Sequence, residues 1–594
     1  MGQDFKTLVD LWDRTTKKYA DKELFGTKAN GTWNFITFGE FRSQTDDARG
    51  GLASLGVKPG DGVAIVSNNR IEWAATAFAT YGLRAAFVPM YEQQAPDEWV
   101  FILNDCGAKV VFAATAAVYD HLVEKKSEMP ALEHVVGLHL PPSDAHSYAA
   151  FVDKGKAAPV PVQNPDPNEI AGYIYTSGTT GKPKGVLLTH KNFCANVNAI
   201  DGLYEITPED RSLAFLFWAH SFGQTAELYS LMSQGMSIAL NDEIPNLVSN
   251  LGEVKPSVLI AVPRIFNRIY DGVNKQMTEK PAPIRALFRA GIAAANKRSK
   301  GEPLGAFENI ALSLADKLIF KKIRGRMGGR LKFAVSGSAA LSREVGEFVD
   351  ALGVTVFEGY GLSEAAPVVA ANRHGHRKMG TVGQALPGVR IVIDTKATGD
   401  AKNGEIIVYG DNVMQGYHNR PEENAAAFTP DGGLKTGDMG YLDDEGYLYI
   451  TGRIKEQYKL ENGKYVVPSP LEEQLKLSPY ILNVMVFGEN RPHNVALVVA
   501  DADAVKRWAR DQGHPLSELT TDPKVLELLK EELKKYSGSF KSFERVKDII
   551  VTTEDFTTDN GMLTPSLKVK RRNVLARYGE RLQGLYGAPS RMSA

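Results

Sequence analysis

Between Tyr175 and Val186 the sequence YTSGTTGKPKGV gathers glycines at 178, 181 and 185, hydroxyls at Thr176, Ser177, Thr179 and Thr180, and the cations Lys182 and Lys184. Glycine lets successive backbone N–H groups point into one concavity, hydroxyls add donors, and lysines add positive charge; together they make a cradle for polyphosphate. A run of Gly, Ser and Thr is also an ordinary surface turn. A Walker A loop needs four residues between its first glycine and a Gly-Lys pair, with Ser or Thr next. Here two residues separate Gly178 from Gly181, and Pro183 follows Lys182, so the spacing disfavours a conventional phosphate-loop NTPase.

The segment Thr176 to Gly185 matches the pattern [ST]-S-G-[ST]-[ST]-G-x-P-K-G at every position, and in this it resembles the signature of the adenylate-forming superfamily: acyl-CoA synthetases, luciferases and adenylation domains. The resemblance implies an attack of a carboxylate on the α-phosphate of ATP. That is an approach of anion to anion which needs Mg²⁺ and fixed cations to spread the charge. It therefore directs attention to acids and bases elsewhere. VTVFEGYGLSEA, residues 354–365, resembles the family's Y-G-x-T-E motif. By that resemblance Tyr360 stacks on adenine, Glu364 coordinates Mg²⁺ together with Thr176, and Glu358, Gly359, Gly361 and Ser363 surround the nucleotide. Ser363 stands where Thr is commoner and keeps the hydroxyl. Gly337, Ser338 and Ala339 fall in a small-residue segment that the family uses to bring the nucleotide close to the backbone, though such a segment is also a plain strand-to-helix turn. Asp438, in KTGDMG, takes the place of the acid that accepts the ribose hydroxyls; Asp after Gly is equally a turn former.

Further on, ITGRIKEQYKLENGKYVVP, residues 450–468, resembles the family hinge. Arg453 matches the nucleotide-contacting arginine, Lys455 the hinge, Lys459 a further basic contact, and Gly463 the glycine beside the pantetheine passage. NGMLTPSLKVKRR, residues 560–572, resembles the segment that supplies the catalytic lysine. Lys568 aligns best. Lys570 would share its face on any strand, so the two remain alternatives. Lys184 is the third residue assigned to catalysis, holding phosphate. His220, Ser221 and Phe222, with Trp218 before them, fall where the family's acyl pocket begins; an aromatic-rich strand, as this segment reads, is also plain core.

VPRIFNRIY at 262–270, NGKYVVPSPLE at 462–472, TPSLKVKRR and a long insert at 276–330 resemble long-chain fatty acyl-CoA synthetases in particular. The implied reaction consumes a fatty acid, ATP and coenzyme A through acyl-AMP. Another carboxylic acid or a carrier-protein acceptor is the nearest alternative, and a non-catalytic acyl- or nucleotide-binding protein is the distant one. In the insert, Lys317, Lys321, Lys322, Arg324 and Arg326 alternate with Leu314, Leu318, Ile319 and Ile323. A basic amphipathic helix of this kind can lie on an anionic membrane; a solvated helix packed on the protein has the same pattern.

These residues must be positioned by regular elements. Helical spacing over 38–55 followed by the apolar run 63–67, a helix over 73–81, and strands at 86–90 and 110–112 predict an α/β half with parallel sheets. PVPVQNPDPNE, 159–169, breaks this pattern. A helix capped by Ser342 and stopped by Gly353 should lead into a strand at 354–357, which places Tyr360 and Glu364 at a carboxyl edge where open sheets hold ligands. Short strands at 404–409, 434–441 and 447–451 predict a small β-barrel-like unit. The expected organisation is a large domain of two α/β subdomains plus that β unit, residues 1–452, and a small mobile α+β domain, 453–594.

Composition sets the outer limits. The chain has 594 residues, 43% hydrophobic and 23% charged, as in folded globular proteins. Its 69 basic and 70 acidic residues give a net charge of −1, so no global field draws it to nucleic acid. Cys106 and Cys194 are too few for a disulfide framework and suit a reducing cytoplasm. The N-terminus has no apolar leader pattern, and Lys6 stands where a myristoylation motif has Ser or Thr. The uncharged stretch 212–226 falls short of the roughly 18–20 residues that span a bilayer.

Overall fold

The computed structural model describes residues 3–176, 182–397, 400–564 and 568–587. A seven-stranded sheet runs in the order Gly416–Tyr417, Lys184–Thr189, Ile170–Thr176, Ala86–Met90, Gly62–Val66, Ala108–Ala113, His134–Gly137. Its inner strands GVAIV and AFVPM are buried at every position, as expected of parallel strands covered by helices on both faces. The helix Phe38–Ser54 begins in a reciprocal capping box, with the Thr37 hydroxyl accepting from the Glu40 N–H and the Glu40 carboxylate from the Thr37 N–H.

A second sheet carries the Tyr360–Glu364 segment. Val258–Ala261, Phe333–Ser336 and Thr355–Gly361 are parallel, and Val368–Ala371 and Gln384–Ala385 return antiparallel. Glu358, Gly359, Tyr360 and Gly361 thus lie on the end of a strand rather than in the loop beyond it. The preceding helix, Arg343–Ala351, starts after Ser342 as the pattern predicts and is followed by Gly353 at φ +89°. Ser342, however, does not cap it; its hydroxyl reaches the Gln474 side chain at 3.4 Å instead. A third sheet, of four strands, joins Glu23–Ala29 and Thr32–Thr37 to Ser237–Leu240 and Arg211–Ala214.

The unit expected to be barrel-like is an open four-stranded antiparallel sheet: Arg390–Asp394, Gly404–Tyr409, Leu434–Leu442, Leu448–Arg453. Among the described residues no pairing joins its first and last strands. Beyond it the chain builds another sheet, Ile481–Phe487, Asn494–Ala500 and Val546–Thr552. One face of this sheet packs on the helices Pro468–Leu475 and Pro523–Tyr536; the other packs on Arg571–Gly584 through Val574, Tyr578 and Leu582. The main core elsewhere centres on Trp12, Trp73 and Trp218, all 2% exposed or less, with Trp73 and Trp218 edge to face at 5.6 Å. Such side chains each stabilise by about 1.5–3 kcal/mol or more through burial. No helix among the described residues is long and apolar enough to cross a membrane.

Gly361 shows why its segment cannot carry side chains freely. A Cβ there would lie 2.0 Å from the Pro367 carbonyl oxygen, because the antiparallel return strand closes over it; at Gly359 the nearest atom would be 3.3 Å away. Gly361→Ala should therefore lower stability by about 1–3 kcal/mol while Gly359→Ala changes it far less, as read from denaturant midpoints. Equal midpoints would show that the return strand yields at no cost.

Candidate active site

The end of one strand and the start of its partner define the first wall of a cleft of about 1710 Å³. Thr176 closes the strand 170–176 and pairs in antiparallel register with Lys184. Ser177, Gly178, Thr179, Thr180 and Gly181 lie outside the described residues. Thr176, Lys182 and Lys184 all face the cleft. Lys184 pairs with Glu423 at 3.3 Å and sits 5.5 Å from the centre of the Tyr417 ring.

Opposite stands an interlocked acid–base group. The Tyr360 hydroxyl donates to Asp438 Oδ2 at 2.7 Å, and Arg453 Nε donates to Oδ1 at 2.7 Å. The sheet register makes this possible, since Asp438 and Arg453 are direct partners on neighbouring strands. Burial and the adjoining Asp438 carboxylate push the Tyr360 phenol far above its ordinary range, and Asp438 holds the Arg453 guanidinium charged. Glu364 follows in a short turn and accepts a hydrogen bond from the Tyr417 hydroxyl at 2.8 Å. Its other oxygen has no protein partner among the described residues. Glu358 is pushed up to about 7 by burial, against the opposing effects of Arg377 and a backbone N–H at Leu341.

Gly337 and Ser338 line the cleft, with Ser338 at φ +68°, whereas Ala339 does not. A Cβ on Gly337 would lie 2.8 Å from the Phe222 ring, so this glycine makes room for Phe222. His220 and Phe222 both face the cleft. His220 Nδ1 accepts the Phe222 N–H at 3.2 Å, which leaves the ring proton on Nε2. Burial, then the charge of Lys568, lowers His220 to about 4, so it is neutral at physiological pH. Ser221 turns the other way, into the core, where its hydroxyl bonds that of Ser363 at 2.9 Å. Trp218 is likewise core, its indole donating to Glu227 at 3.2 Å. Glu227 is fully buried and held neutral by that burial. The stretch 218–222 is a turn leading into a π-helix, Gly223–Tyr229, rather than a strand; single π turns of this kind are common beside functional sites.

The fourth wall comes from the far end of the chain. Lys568 is anchored by a tight bridge: its N–H donates to the Thr564 hydroxyl, its carbonyl accepts from the Thr564 N–H at 2.8 Å, and Leu563 pairs with Val569. The Lys568 side chain is open to the cleft lumen but crowded by protein on its other sides. That crowding and then the Arg453 charge lower its pKa, while Asp438, Glu364 and Glu456 oppose the shift. Lys570 also lines the cleft, at the N-cap position of the helix 571–584. Arg571 clamps this segment to the helix 468–475 by donating to the buried Glu472 carboxylate at 2.8 Å. Lys455 lines the cleft in the turn Ile454–Glu456. Lys459 and Gly463 do not: Lys459 lies over Tyr465, and Gly463, at φ +83°, turns the short hairpin outside the cleft.

Part of the cleft lining is apolar. Ile200, Leu203, Ile206, Ala226, Leu231 and Val335 belong to it. They come from three separated stretches, 200–206, 226–231 and Val335, so no single local pattern announces them together. A hard divalent cation suits the oxygen-bearing part of the lining, where the Thr176 hydroxyl and the second carboxylate oxygen of Glu364 could add to phosphate oxygens and water. Among the described residues no cluster of three or more His, Cys, Asp or Glu could hold a metal without such help.

The AMP-binding enzyme family model matches residues 12–418, and the model of the AMP-binding enzyme C-terminal domain matches 455–590. The chain is 32% identical over 585 residues to the long-chain-fatty-acid–CoA ligase FadD15 of Mycobacterium bovis, covering 95% of this chain and 94% of that one. It is 30% identical to the peroxisomal long chain acyl-CoA synthetase 7 of Arabidopsis thaliana, covering 98% and 86%. In fold it resembles the adenylation domain of a carboxylate reductase from Mycobacterium chelonae, with a TM-score of 0.81 at 23% identity over 98% of this chain and 91% of that one. With its cleft geometry and both domain models in register, the chain belongs to the AMP-binding enzyme family.

Proposed function

We propose that the protein is a fatty acid–CoA ligase that activates a long-chain fatty acid with ATP, releases pyrophosphate and passes the acyl group to coenzyme A. The observation that carries this reading is the placement of Lys568, from the far end of the chain, against Glu364, Asp438 and Arg453 in a cleft whose lining is partly apolar. A fatty carboxylate seated with its chain along the apolar lining would have its head group among cations. Lys184 and the hydroxyl loop hold the phosphates, Tyr360 stacks on adenine, and Asp438 exchanges its internal donors for the ribose hydroxyls. Thr176 and Glu364 hold Mg²⁺, which when bound neutralises phosphate charge. Lys568 bridges the α-phosphate and the carboxylate as the acyl–oxygen bond to phosphorus forms and pyrophosphate leaves. Neutral His220 offers its Nε2 proton to the carboxylate.

Residues 453–594 then turn about Lys455 as a unit, withdrawing Lys568 and bringing Gly463 and Lys459 toward the cleft for thiol attack. The present position of Gly463, outside the cleft, suits the first half-reaction. Cys106 and buried Cys194, both unpaired thiols, fit work in the cytoplasm.

Lys568→Ala should slow acyl-AMP formation by roughly 10²–10³-fold and leave thioester formation from supplied acyl-AMP nearly unchanged, whereas Gly463→Leu should do the reverse. Pyrophosphate release and thioester yield, measured separately over fatty and aryl acids, distinguish these outcomes; matching losses in both assays sink the two-position scheme. The same series decides the acid, since turnover of aryl acids alone would exclude a fatty substrate.

Glu358 adds a pH signature. Its folded pKa is raised from 4.5 to about 7, so the folded state holds a proton that the unfolded chain has lost. The stability this contributes is full below about 4.5 and gone once pH passes through about 7. Glu358→Gln should therefore match the parent near pH 4.5 and gain on it progressively up to pH 8, by roughly 1–2 °C in Tm. A constant difference across that range would mean the carboxyl is ionised throughout.

A further inference from the structure

The insert packs as helices Pro263–Thr278, Ala282–Ser299 and Ala306–Ala315, the last running through a π turn, Asp316–Phe320, into Lys321–Arg326. The inner face of this final rod is satisfied. Leu312, Ala315, Ile319, Phe320 and Ile323 are buried, and Phe320 meets Phe288 ring to ring at 6.1 Å. Yet its outer face is also apolar. Phe307, Ile310 and Leu314, at i, i+3 and i+7, are 88%, 57% and 45% exposed, and Leu318 continues the ridge at 46%. Scattered exposed apolar residues need no explanation; four aligned on one rod, one of them a nearly bare phenylalanine, do.

The charges beside the ridge identify what would cover it. Lys317, Lys321 and Lys322 are exposed and make no ion pair among the described residues. The nearby acids are already engaged, Asp316 by Arg324 at 2.7 Å and Glu308 by Lys297 at 3.1 Å. In a second copy docked antiparallel about a two-fold axis the lysine cluster would face the Phe307 end of the other rod, whose one acid, Glu308, is already held by Lys297. A surface of anionic phospholipid offers the opposite charge together with an acyl layer for Phe307 and its neighbours.

We propose that the Phe307–Lys322 rod is a membrane-docking surface for anionic phospholipid bilayers, holding the enzyme where a fatty acid is dissolved. This stands apart from the chemistry of the cleft, because none of its residues lines it.

The test is flotation of the full chain with vesicles of phosphatidylcholine alone or with equimolar phosphatidylglycerol, at low and high salt. Binding to the anionic vesicles only, weakened by salt, is expected. Lys317→Glu/Lys321→Glu/Lys322→Glu should weaken it by roughly 100-fold. Phe307→Ser/Ile310→Ser/Leu314→Ser should abolish the salt-resistant remainder, and both should keep activity on a short, water-soluble acid. Phe307→Ser alone serves where the triple variant folds poorly. Absent binding, equal binding to neutral vesicles, or undiminished binding by the charge variant would overturn the proposal. A variant that binds vesicles normally but elutes as a smaller species would assign the ridge to self-association instead.

Discussion

Two negatively charged reactants have to come within bonding distance, and the cleft is shaped by that electrostatic demand. No single element can meet it: cations packed densely enough to help would repel one another on a common helix or strand. The fold instead draws Lys184, the neighbours Arg453 and Lys455, and Lys568 from three separated stretches of chain and interleaves them with Asp438, Glu364, Glu423 and Glu456. Each positive charge is thereby tolerated before any substrate arrives. Lys568 shows the balance most plainly, since crowding and Arg453 pull its pKa down while three carboxylates hold it up.

The scaffold follows from this demand. Parallel strands end where ligands are held, and both large sheets point such ends at one lumen, through Thr176 in one and Tyr360 in the other. Close approach between strands takes out side chains at Gly361, and close approach of an aromatic takes one out at Gly337. Glycines that look like room for a nucleotide are, at these two positions, room for the protein itself.

What could be read from sequence divides along the same line. Motif residues whose chemistry is local were legible: Thr176, Lys184, Tyr360, Glu364, Asp438, Arg453 and Lys568 all belong to short patterns and converge on the cleft or its wall. Residues defined by long-range packing were not. The apolar lining draws on Ile200, Ala226 and Val335, far apart in the chain. Ser221 and Phe222 are adjacent, but the chain turns helical at 221, and neighbouring helical residues point about 100° apart, so one enters the core and the other the cleft. Ser342 occupies an N-cap position, yet its hydroxyl is claimed by Gln474, more than a hundred residues later. The β unit was recognisable as strands, but whether its edges meet depends on twist and register that composition does not encode.

The engagement of Asp438 by both Tyr360 and Arg453 carries a consequence for how a ligand enters. A buried carboxylate with idle oxygens would be expensive in a vacant enzyme; here both are already occupied. If the ribose hydroxyls engage Asp438 as proposed, nucleotide arrival becomes a swap of donors on one carboxylate, and the displaced phenol and guanidinium are freed for other contacts. Such an exchange would limit the net gain on binding, because protein donors are traded for ligand donors. That restraint suits a catalyst which must let go of AMP at the end of every cycle.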